Sequence, residues 1–313
     1  MSKATFAQSR NATLKRIYKQ RHALIMLAPS LILIFIFCYF PLSGWYIAFS
    51  DFKVGAGMFS GAFVGLDNFI KLFADSSDYA YLIRNTLVMN GLTIVINLPL
   101  AGVIAVLLKE FVWKKGSKIV QAVSFFPYFI SWVITYSLLL SLFSVNTGAV
   151  NLFLMDLGVI KQGINLMGLP RYSWGLIVAM DAWKFTGYNC IIFLATISGI
   201  SLEEYEAAEL DGANRFQKVI HITVPHMIPT MCVLLILNSG YILSSNLEQF
   251  FIFTNGTNWE TMEVLDMYIY KFGLKFLRFS YATAVGIVKS VISIGMIVVV
   301  NLIVKKLNQT SIF

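Results

Sequence analysis

Charged residues are missing from long parts of this chain, and the gaps between them are its most regular feature. No Asp, Glu, Lys or Arg occurs in residues 23–50, 85–108, 119–155 and 219–247. Two further apolar stretches are interrupted by charge, 172–199 by Asp181 and Lys184, and 281–304 by Lys289. A helix needs about 20 residues to cross a hydrocarbon core of roughly 30 Å, so each stretch is long enough to cross once.

Helices suit these stretches better than strands because a spanning segment in lipid must pair its own backbone N–H and C=O groups. The short alternating segments of a β-barrel are absent from the sequence. We therefore predict an all-α integral membrane protein with one membrane-spanning domain, residues 23–306, between a basic segment 1–22 and a tail 307–313. Its six transmembrane helices are predicted at about 23–49, 85–108, 119–143, 173–199, 225–247 and 281–304.

Composition supports a membrane protein. Of the 313 residues 58% are hydrophobic and 13% charged, against about 25% charged in a soluble domain. This excludes a water-soluble enzyme, a disordered chain and a secreted disulfide scaffold. The net charge of +8 favours a membrane surface over nucleic acid as the partner of the basic residues. The apolar run after the basic N-terminal segment is too long for a signal peptide, so we predict an uncleaved first helix.

Lys and Arg cluster in three places that predict the orientation of the chain. Six lie within residues 1–22, four are Lys109, Lys114, Lys115 and Lys118, and two follow the last span at Lys305 and Lys306. Basic loops favour the cytoplasmic side. We therefore expect both termini and the loops near 109–118 and 200–224 to be cytoplasmic.

The loop 201–225 contains five of the sixteen acidic residues of the chain. Ser201 followed by Glu204 predicts a capping box at the start of a helix. Gly212 is placed to end that helix in the left-handed conformation, and Pro225 suits the first turn of the fifth span. The loop is thus predicted to form two short helices around a glycine turn.

The spacing within this loop resembles the EAA loop of permease subunits of binding-protein-dependent ABC importers. The matching positions are Glu206, Ala207, Ala208, Asp211, Gly212, Ile222 and Pro225. The family pattern ends in Ile-x-Leu-Pro, and Val224 stands here in place of the leucine. The triplet Asp211-Gly212-Ala213 resembles the sugar-importing branch.

The resemblance extends over most of the chain from about residue 85. The stretches 124–134, 183–200, 247–253 and 279–290 are similar to permeases of the polysaccharide and aldouronate type, which are related to the maltose permeases. The resemblance implies the bundle of a type I ABC importer permease in a bacterial cytoplasmic membrane. It implies a heterodimer with a second related permease. It also implies two cytoplasmic ATPase subunits that bind ATP and Mg, an extracellular solute-binding protein, and a coupling role for the EAA positions.

Motifs for catalysis are absent from the sequence. There is no G-x-x-x-x-G-K-[ST] phosphate loop, no H-E-x-x-H metal pair and no G-x-S-x-G elbow. Cys38, Cys190 and Cys232 lie in apolar runs without metal-like spacing. We therefore expect no enzymatic activity, no metal and no cofactor in this chain, with ATP bound elsewhere.

Polar residues recur at helical spacing within several spans. In the fifth span they are Asn238, Tyr241, Ser245 and Glu248, and such a stripe faces a bundle interior or a watery cavity. Hydrogen bonding between helices is the alternative explanation. The candidate path residues are Lys184, Tyr188, Asn189, Asn238, Tyr241, Ser245, Asn246, Gln249 and Lys289.

Two lysines within the spans carry a sharper hypothesis. A lysine in mid-membrane costs about 2.5–3.5 kcal/mol on insertion scales, so it favours a functional role. Lys184 and Lys289 both fall in the predicted outer halves of their helices, where they could receive a carboxylate-bearing sugar. The alternatives are neutralisation of Lys184 by Asp181 and snorkelling of Lys289 to the interface.

The sequence favours one permease half of an ATP-driven oligosaccharide importer. An ion-coupled secondary transporter of a polar solute is the alternative, but it would need carboxylates at the midplane and inverted repeats. A membrane scaffold without a transported ligand would not need polar stripes on several helices.

Overall fold

The computed structural model describes residues 19–74 and 76–308 of the chain. Helices dominate it, as predicted. Four helical stretches are long and apolar enough to cross a membrane alone, namely Arg21–Phe49, Tyr79–Glu110, Arg215–Gly240 and Phe279–Lys306. Counting each of two bent helix pairs as one span gives six: Lys114–Phe129 with Trp132–Phe143, bent by 106°, and Pro170–Ser198 with Leu202–Leu210, bent by 68°. Most of the predicted basic segment 1–22 lies outside the described residues, and so does the tail beyond residue 308.

The first span is helical throughout but changes its winding. It begins as α1 (Arg21–Ile34), continues through a π turn (Phe35–Tyr39) and ends as a 3₁₀ segment (Phe40–Phe49). No side chain of α1 is buried, whereas the 3₁₀ segment packs against the last helix. Two short antiparallel strands follow, β1 (Ser50–Asp51) and β2 (Ala62–Phe63), with two residues each. Ser50 lies opposite Phe63.

The second and fourth spans form the centre of the bundle. After the short α2 (Asp67–Ala74), α3 runs over Ser76–Glu110, and the fourth span is α7, Pro170–Ser198. The two long helices pack along one another. The buried residues between and around them are Ala101, Ala105, Leu108, Cys190, Phe193, Ile197 and Met227.

The third predicted span, 119–143, is wrong as a single helix. It consists of α4 (Lys114–Phe125), a 3₁₀ turn (Phe126–Phe129) and α5 (Trp132–Phe143). Ile130 and Ser131 have extended backbones, with ψ of 130° and 157°, so the helix cannot continue through them. The Ser131 side chain starts the next helix by accepting a hydrogen bond from the Ile134 backbone N–H. Helix α6 (Ala149–Asp156) then precedes α7.

The loop 201–225 folds as two short helices around a glycine, as predicted. They are α8 (Leu202–Leu210) and α9 (Arg215–Lys218), and a π turn (Val219–Thr223) leads into α10 (Val224–Gly240) with Pro225 in its first turn. The predicted capping box at Ser201 and Glu204 is wrong, because Ser201 instead accepts from the backbone N–H of Glu203. A capping box is present one helix later, where Asn214 and Gln217 bond reciprocally.

The fifth predicted span, 225–247, is also interrupted. Helix α10 ends at Gly240, residues 241–246 form a turn, and α11 (Leu247–Phe253) begins at an Asn246 cap. The stripe from Asn238 to Glu248 therefore does not lie on one helix face. The turn is accommodated because the backbone N–H of Ser245 donates to the Asp266 carboxylate at 2.7 Å.

Short helices fill the region between α11 and the last span. They are α12 (Trp259–Met262) and α13 (Leu265–Tyr270), followed by a π turn (Lys271–Lys275). A second apolar core joins them to α5 and α7 through Trp132, Ile177, Phe250, Phe253 and Met262. The sixth span is α14 (Phe279–Asn308), which contains the predicted 281–304.

Candidate functional site

The EAA positions lie together on a projection that we call the elbow, residues 201–225. Glu206, Ala207 and Ala208 are on α8, Asp211 caps its end, and Gly212 follows with φ of +79°. That φ is unfavourable for a residue with a Cβ, which explains the glycine at this turn. Ile222 lies in the π turn that leads into α10, and Pro225 lies in the first turn of α10.

Apolar side chains on the elbow are uncovered. Leu210 is 90% exposed, and Leu202 and Phe216 are similarly open. Glu206 and Ala207 are exposed beside them. The elbow thus presents an apolar and acidic surface, with one small side chain that allows a close approach.

Contacts at its base hold the elbow against the bundle. The Tyr205 hydroxyl lies 2.9 Å from the Thr223 hydroxyl, and the Arg215 guanidinium lies 3.6 Å from the Glu110 carboxylate at the end of α3. Within the elbow, Lys218 donates to Glu209. This hydrogen bond and the lysine charge hold the pKa of the exposed Glu209 carboxyl below its ordinary value.

Lys184 is buried and bonded to the break in the third span. Its ammonium donates to the backbone carbonyl oxygens of Pro127 and Tyr128, both at 3.3 Å, and to that of Ile130. It also lies 5.2 Å from the centroid of the Trp132 ring. Asp181 is its acidic neighbour on the same helix, but among the described residues no ion pair within 4 Å joins the two side chains.

Aromatic rings stack on α7 one turn beyond Lys184. The Tyr188 ring lies parallel to that of Tyr128, with centroids 4.7 Å apart and 13° between planes. The Phe125 ring stacks on both of these rings. The Phe129 ring makes an edge-to-face contact with the Phe125 ring. We call Phe125, Tyr128, Phe129 and Tyr188 the aromatic platform. Tyr188 is 41% exposed, so the platform offers an open ring edge or face, while neighbouring Asn189 is half-buried.

A buried polar network joins three helices beside the platform. The Asp181 carboxylate accepts from Thr93 at 3.2 Å and from Gln249 at 3.1 Å. Asn97 donates to the Asp181 backbone carbonyl and accepts from Thr186. Gln249 is only 2% exposed, and its amide donates to Asp181, so its side chain does not face an open surface in this structure.

The remaining predicted path residues have different environments. Asn238 donates to the Leu234 carbonyl of its own helix, Tyr241 is 70% exposed, and Asn246 is exposed at the α11 cap. The Lys289 ammonium pairs with Asp266, whose other oxygen accepts from the Ser245 backbone. Lys289 therefore does not snorkel to an interface and is not a free cation.

Tyr241 and Lys289 line a cavity of about 640 Å³ between α10 and α14, together with Ser290 and Ser293. Its other walls are mostly apolar. Sequence reasoning missed Asp266, because its partners are far away along the chain. It also missed Phe125 and Tyr128, although the aromatic run at 125–129 was a visible signal. No group of three His, Cys, Asp or Glu suited to a metal occurs among the residues the structure describes.

Known proteins resemble this chain over most of its length. The family model described as "Binding-protein-dependent transport system inner membrane component" matches residues 97–309. Protein LplB of Bacillus subtilis (strain 168) is 36% identical, with 92% of this chain and 90% of that protein covered. The polygalacturonan/rhamnogalacturonan transport system permease protein YteP of the same organism is 34% identical, with 98% and 94% covered.

A solved structure has the same fold. A chain of a bacterial ABC transporter involved in the import of the acidic polysaccharide alginate superposes with a TM-score of 0.85 at 31% identity, covering 95% of this chain and 99% of that one. The prediction of a multi-pass permease of the type I kind is thereby confirmed. The chain belongs to the family of inner membrane components of binding-protein-dependent transport systems.

Proposed function

We propose that this chain is one permease half of an ATP-driven importer that moves an oligosaccharide from an extracellular solute-binding protein into the cytoplasm. Support for a glycan comes from two similar proteins, named for polygalacturonan/rhamnogalacturonan and for alginate. These relatives offer nothing in favour of the ion-coupled alternative.

The elbow is proposed as the surface that a cytoplasmic ATPase subunit grips. Leu210 and Phe216 are large apolar side chains left open beside exposed glutamates, and such a surface is suited to a protein partner. Ala207 is small enough to let a partner helix come close. In this arrangement both termini are cytoplasmic, and the ATPase subunits hold ATP and Mg.

Force applied to the elbow reaches the bundle through α7. Only residues 199–201 separate the end of α7 from the start of α8. The Tyr205 to Thr223 contact ties α8 to the base of α10 as well. Movement of the elbow as a rigid lever would therefore tilt α7 and α10 together.

The sugar path is proposed to run over the aromatic platform. Sugar rings stack on aromatic faces, and their hydroxyls need amide or carboxylate partners. Tyr188 supplies the ring, and exposed Asn246 and Glu248 lie at the start of α11. Glu248 adjoins Gln249, whose amide donates to Asp181 one turn from Lys184. A second related permease would supply the opposite wall of the path.

The observation that carries this proposal is that α7 contributes Tyr188 to the aromatic platform and leads directly into the elbow. One helix thus connects the surface for an ATPase with the surface for a sugar. A packed helix of this kind offers a continuous physical link through which the two surfaces can be coupled.

The test uses the complete transporter in vesicles, with uptake of an oligosaccharide delivered by its solute-binding protein. Leu210→Asp is expected to abolish uptake and ATPase co-purification while membrane insertion is unchanged. The matched control is Val159→Asp, an exposed apolar residue of a loop remote from the elbow in sequence. Uptake by this chain without any other subunit would overturn the proposal. So would a Leu210→Asp variant that co-purifies with the ATPase and takes up the oligosaccharide at the wild-type rate.

A further inference from the structure

We infer that Lys184 is a positioning residue for the sugar path and not a receptor for a substrate carboxylate. Its ammonium holds the broken third span in the shape that stacks Tyr128 on Tyr188. The inference rests on the proposed function, because it assigns a role to the platform in binding sugar.

The hydrogen-bonding capacity of Lys184 is used within the chain. A lysine ammonium has three N–H donors and no acceptor. Three backbone carbonyl oxygens receive them, those of Pro127, Tyr128 and Ile130. Since the side chain is only 5% exposed, a carboxylate could bind only by displacing one of these carbonyls.

Acidic side chains near Lys184 also disfavour an anion. Asp181 lies one turn away on α7, and Glu248 adjoins Gln249, whose amide donates to the Asp181 carboxylate. A sugar carboxylate approaching Lys184 would meet repulsion from these acidic groups.

The break in the helix ends the regular pairing of these carbonyls. The Pro127 carbonyl still accepts from the Ile130 backbone N–H at 3.1 Å, but the backbone becomes extended at Ile130 and Ser131, so the carbonyls of Tyr128 and Ile130 have no following helical turn to pair with. A carbonyl that is left unpaired within the membrane is costly relative to a paired one. A cation is well placed at the C-terminal end of a helix, where the carbonyls carry partial negative charge.

Tyr128 is held at two points by the same face of α7. Its carbonyl oxygen accepts from Lys184, and its ring stacks on Tyr188. Lys184 and Tyr188 are four residues apart, so they lie one above the other on the helix. Gly187 brings α7 close enough for both contacts, because a Cβ there would overlap the Ser124 carbonyl.

The consequence is that Lys184 fixes the spacing between two rings of the platform. The lysine contacts the backbone of the broken span and not the sugar. Loss of the ammonium would let the 3₁₀ turn at 126–129 shift and would separate the rings. Binding of every sugar that uses the platform would weaken.

The experiment measures the oligosaccharide concentration that gives half-maximal uptake. The single variants are Lys184→Met, Lys184→Gln and Tyr188→Ala. Two double variants combine Tyr188→Ala with each of the Lys184 changes. Lys161→Met, at an exposed loop lysine, is the control for loss of a charge. We expect a roughly five- to tenfold rise for Lys184→Met, the size of a lost aromatic stacking contact. Lys184→Gln, which keeps two N–H donors without charge, is expected to recover part of the loss.

The double variants decide the role. If Lys184 acts through the platform, either Lys184 change adds less than about twofold on the Tyr188→Ala background. If it binds substrate itself, the two effects multiply, and the inference is overturned. Should Lys184→Met fail to assemble, the Lys184→Gln pair gives the same comparison.

Failure of the proposed path would look different. In that case Tyr188→Ala alone would leave uptake unchanged, whatever the Lys184 variants do. A defect in Tyr188→Ala combined with wild-type uptake in both Lys184 variants would leave the path standing and remove the positioning role.

Discussion

The Gln249 side-chain amide donates to the Asp181 carboxylate across 3.1 Å, joining α11 to α7 inside the bundle. The other oxygen of the carboxylate accepts from Thr93 on α3. One buried acid thus connects the second span, the fourth span and the short helix that follows the broken fifth. The pair lies one turn of α7 from Lys184 and two from Tyr188.

Removal of the amide should destabilise the bundle because it leaves a buried carboxylate with one donor fewer. For Gln249→Leu we expect the free energy of unfolding to fall by about 1–3 kcal/mol, the usual penalty for an unpaired buried polar group. The measurement is chemical unfolding of the purified protein in detergent. Ser137→Ala is the control, since Ser137 donates to the Val133 carbonyl of its own helix.

A stability for Gln249→Leu equal to that of Ser137→Ala would show that Asp181 gains little from the amide. Interhelical hydrogen bonds in membranes average only about 0.6 kcal/mol. The prediction of a larger effect depends on the acceptor being a buried carboxylate.

The contact between α7 and the third span predicts opposite effects of alanine at two glycines of one helix. Gly187→Ala should lower the thermal unfolding midpoint and impair uptake, because the new Cβ meets the backbone of Ser124 and Phe125. Gly175→Ala has open space around it. It should be neutral or stabilising by up to about 1 kcal/mol, because alanine favours a helix.

Thermal unfolding of both variants, each with membrane amounts compared by immunoblot, checks this prediction. Equal midpoints for the two variants would contradict the close approach of α7 to Ser124.

At Gly212 the elbow requires a left-handed backbone conformation, but the space around the residue would accommodate a side chain. Its φ is +79°, and a Cβ added at that position would have no heavy atom within 4 Å. Gly212→Val should reduce uptake strongly, because a β-branched residue in the left-handed region is a strong outlier. Gly212→Asn should keep much more activity, since asparagine adopts this conformation more readily.

Uptake normalised to inserted protein is the measurement, and co-purification of the ATPase is read in the same samples. Equal uptake by the valine and asparagine variants would mean that the turn does not need the left-handed conformation.

Much of the fold was predictable because membrane helices must satisfy their own backbone. The long apolar stretches located the four long helices and the two bent pairs, and Gly212 and Pro225 located the end of α8 and the start of α10. The spacing of residues in the elbow indicated the family to which the chain belongs. These are local signals, set by hydrocarbon thickness, φ preference and short-range hydrogen bonds.

The breaks in the third and fifth spans were not predictable in the same way. Residues 119–143 and 225–247 are apolar enough to be continuous helices. Their interruptions are stabilised by side chains far along the chain, by Lys184 for the carbonyls at 127–130 and by Asp266 for the Ser245 N–H. No pattern within either stretch contains that information.

The sequence by itself determined that the chain crosses a membrane several times and has a long acidic loop between its fourth and fifth predicted spans. Only the tertiary structure decided what the charges inside the spans do. A lysine whose ammonium is free and a lysine whose ammonium is hydrogen-bonded look the same in the sequence. They differ in which carbonyls and carboxylates, distant along the chain, come within about 3 Å of the ammonium. For Lys184 and Lys289 that proximity assigns both lysines to partners within the protein.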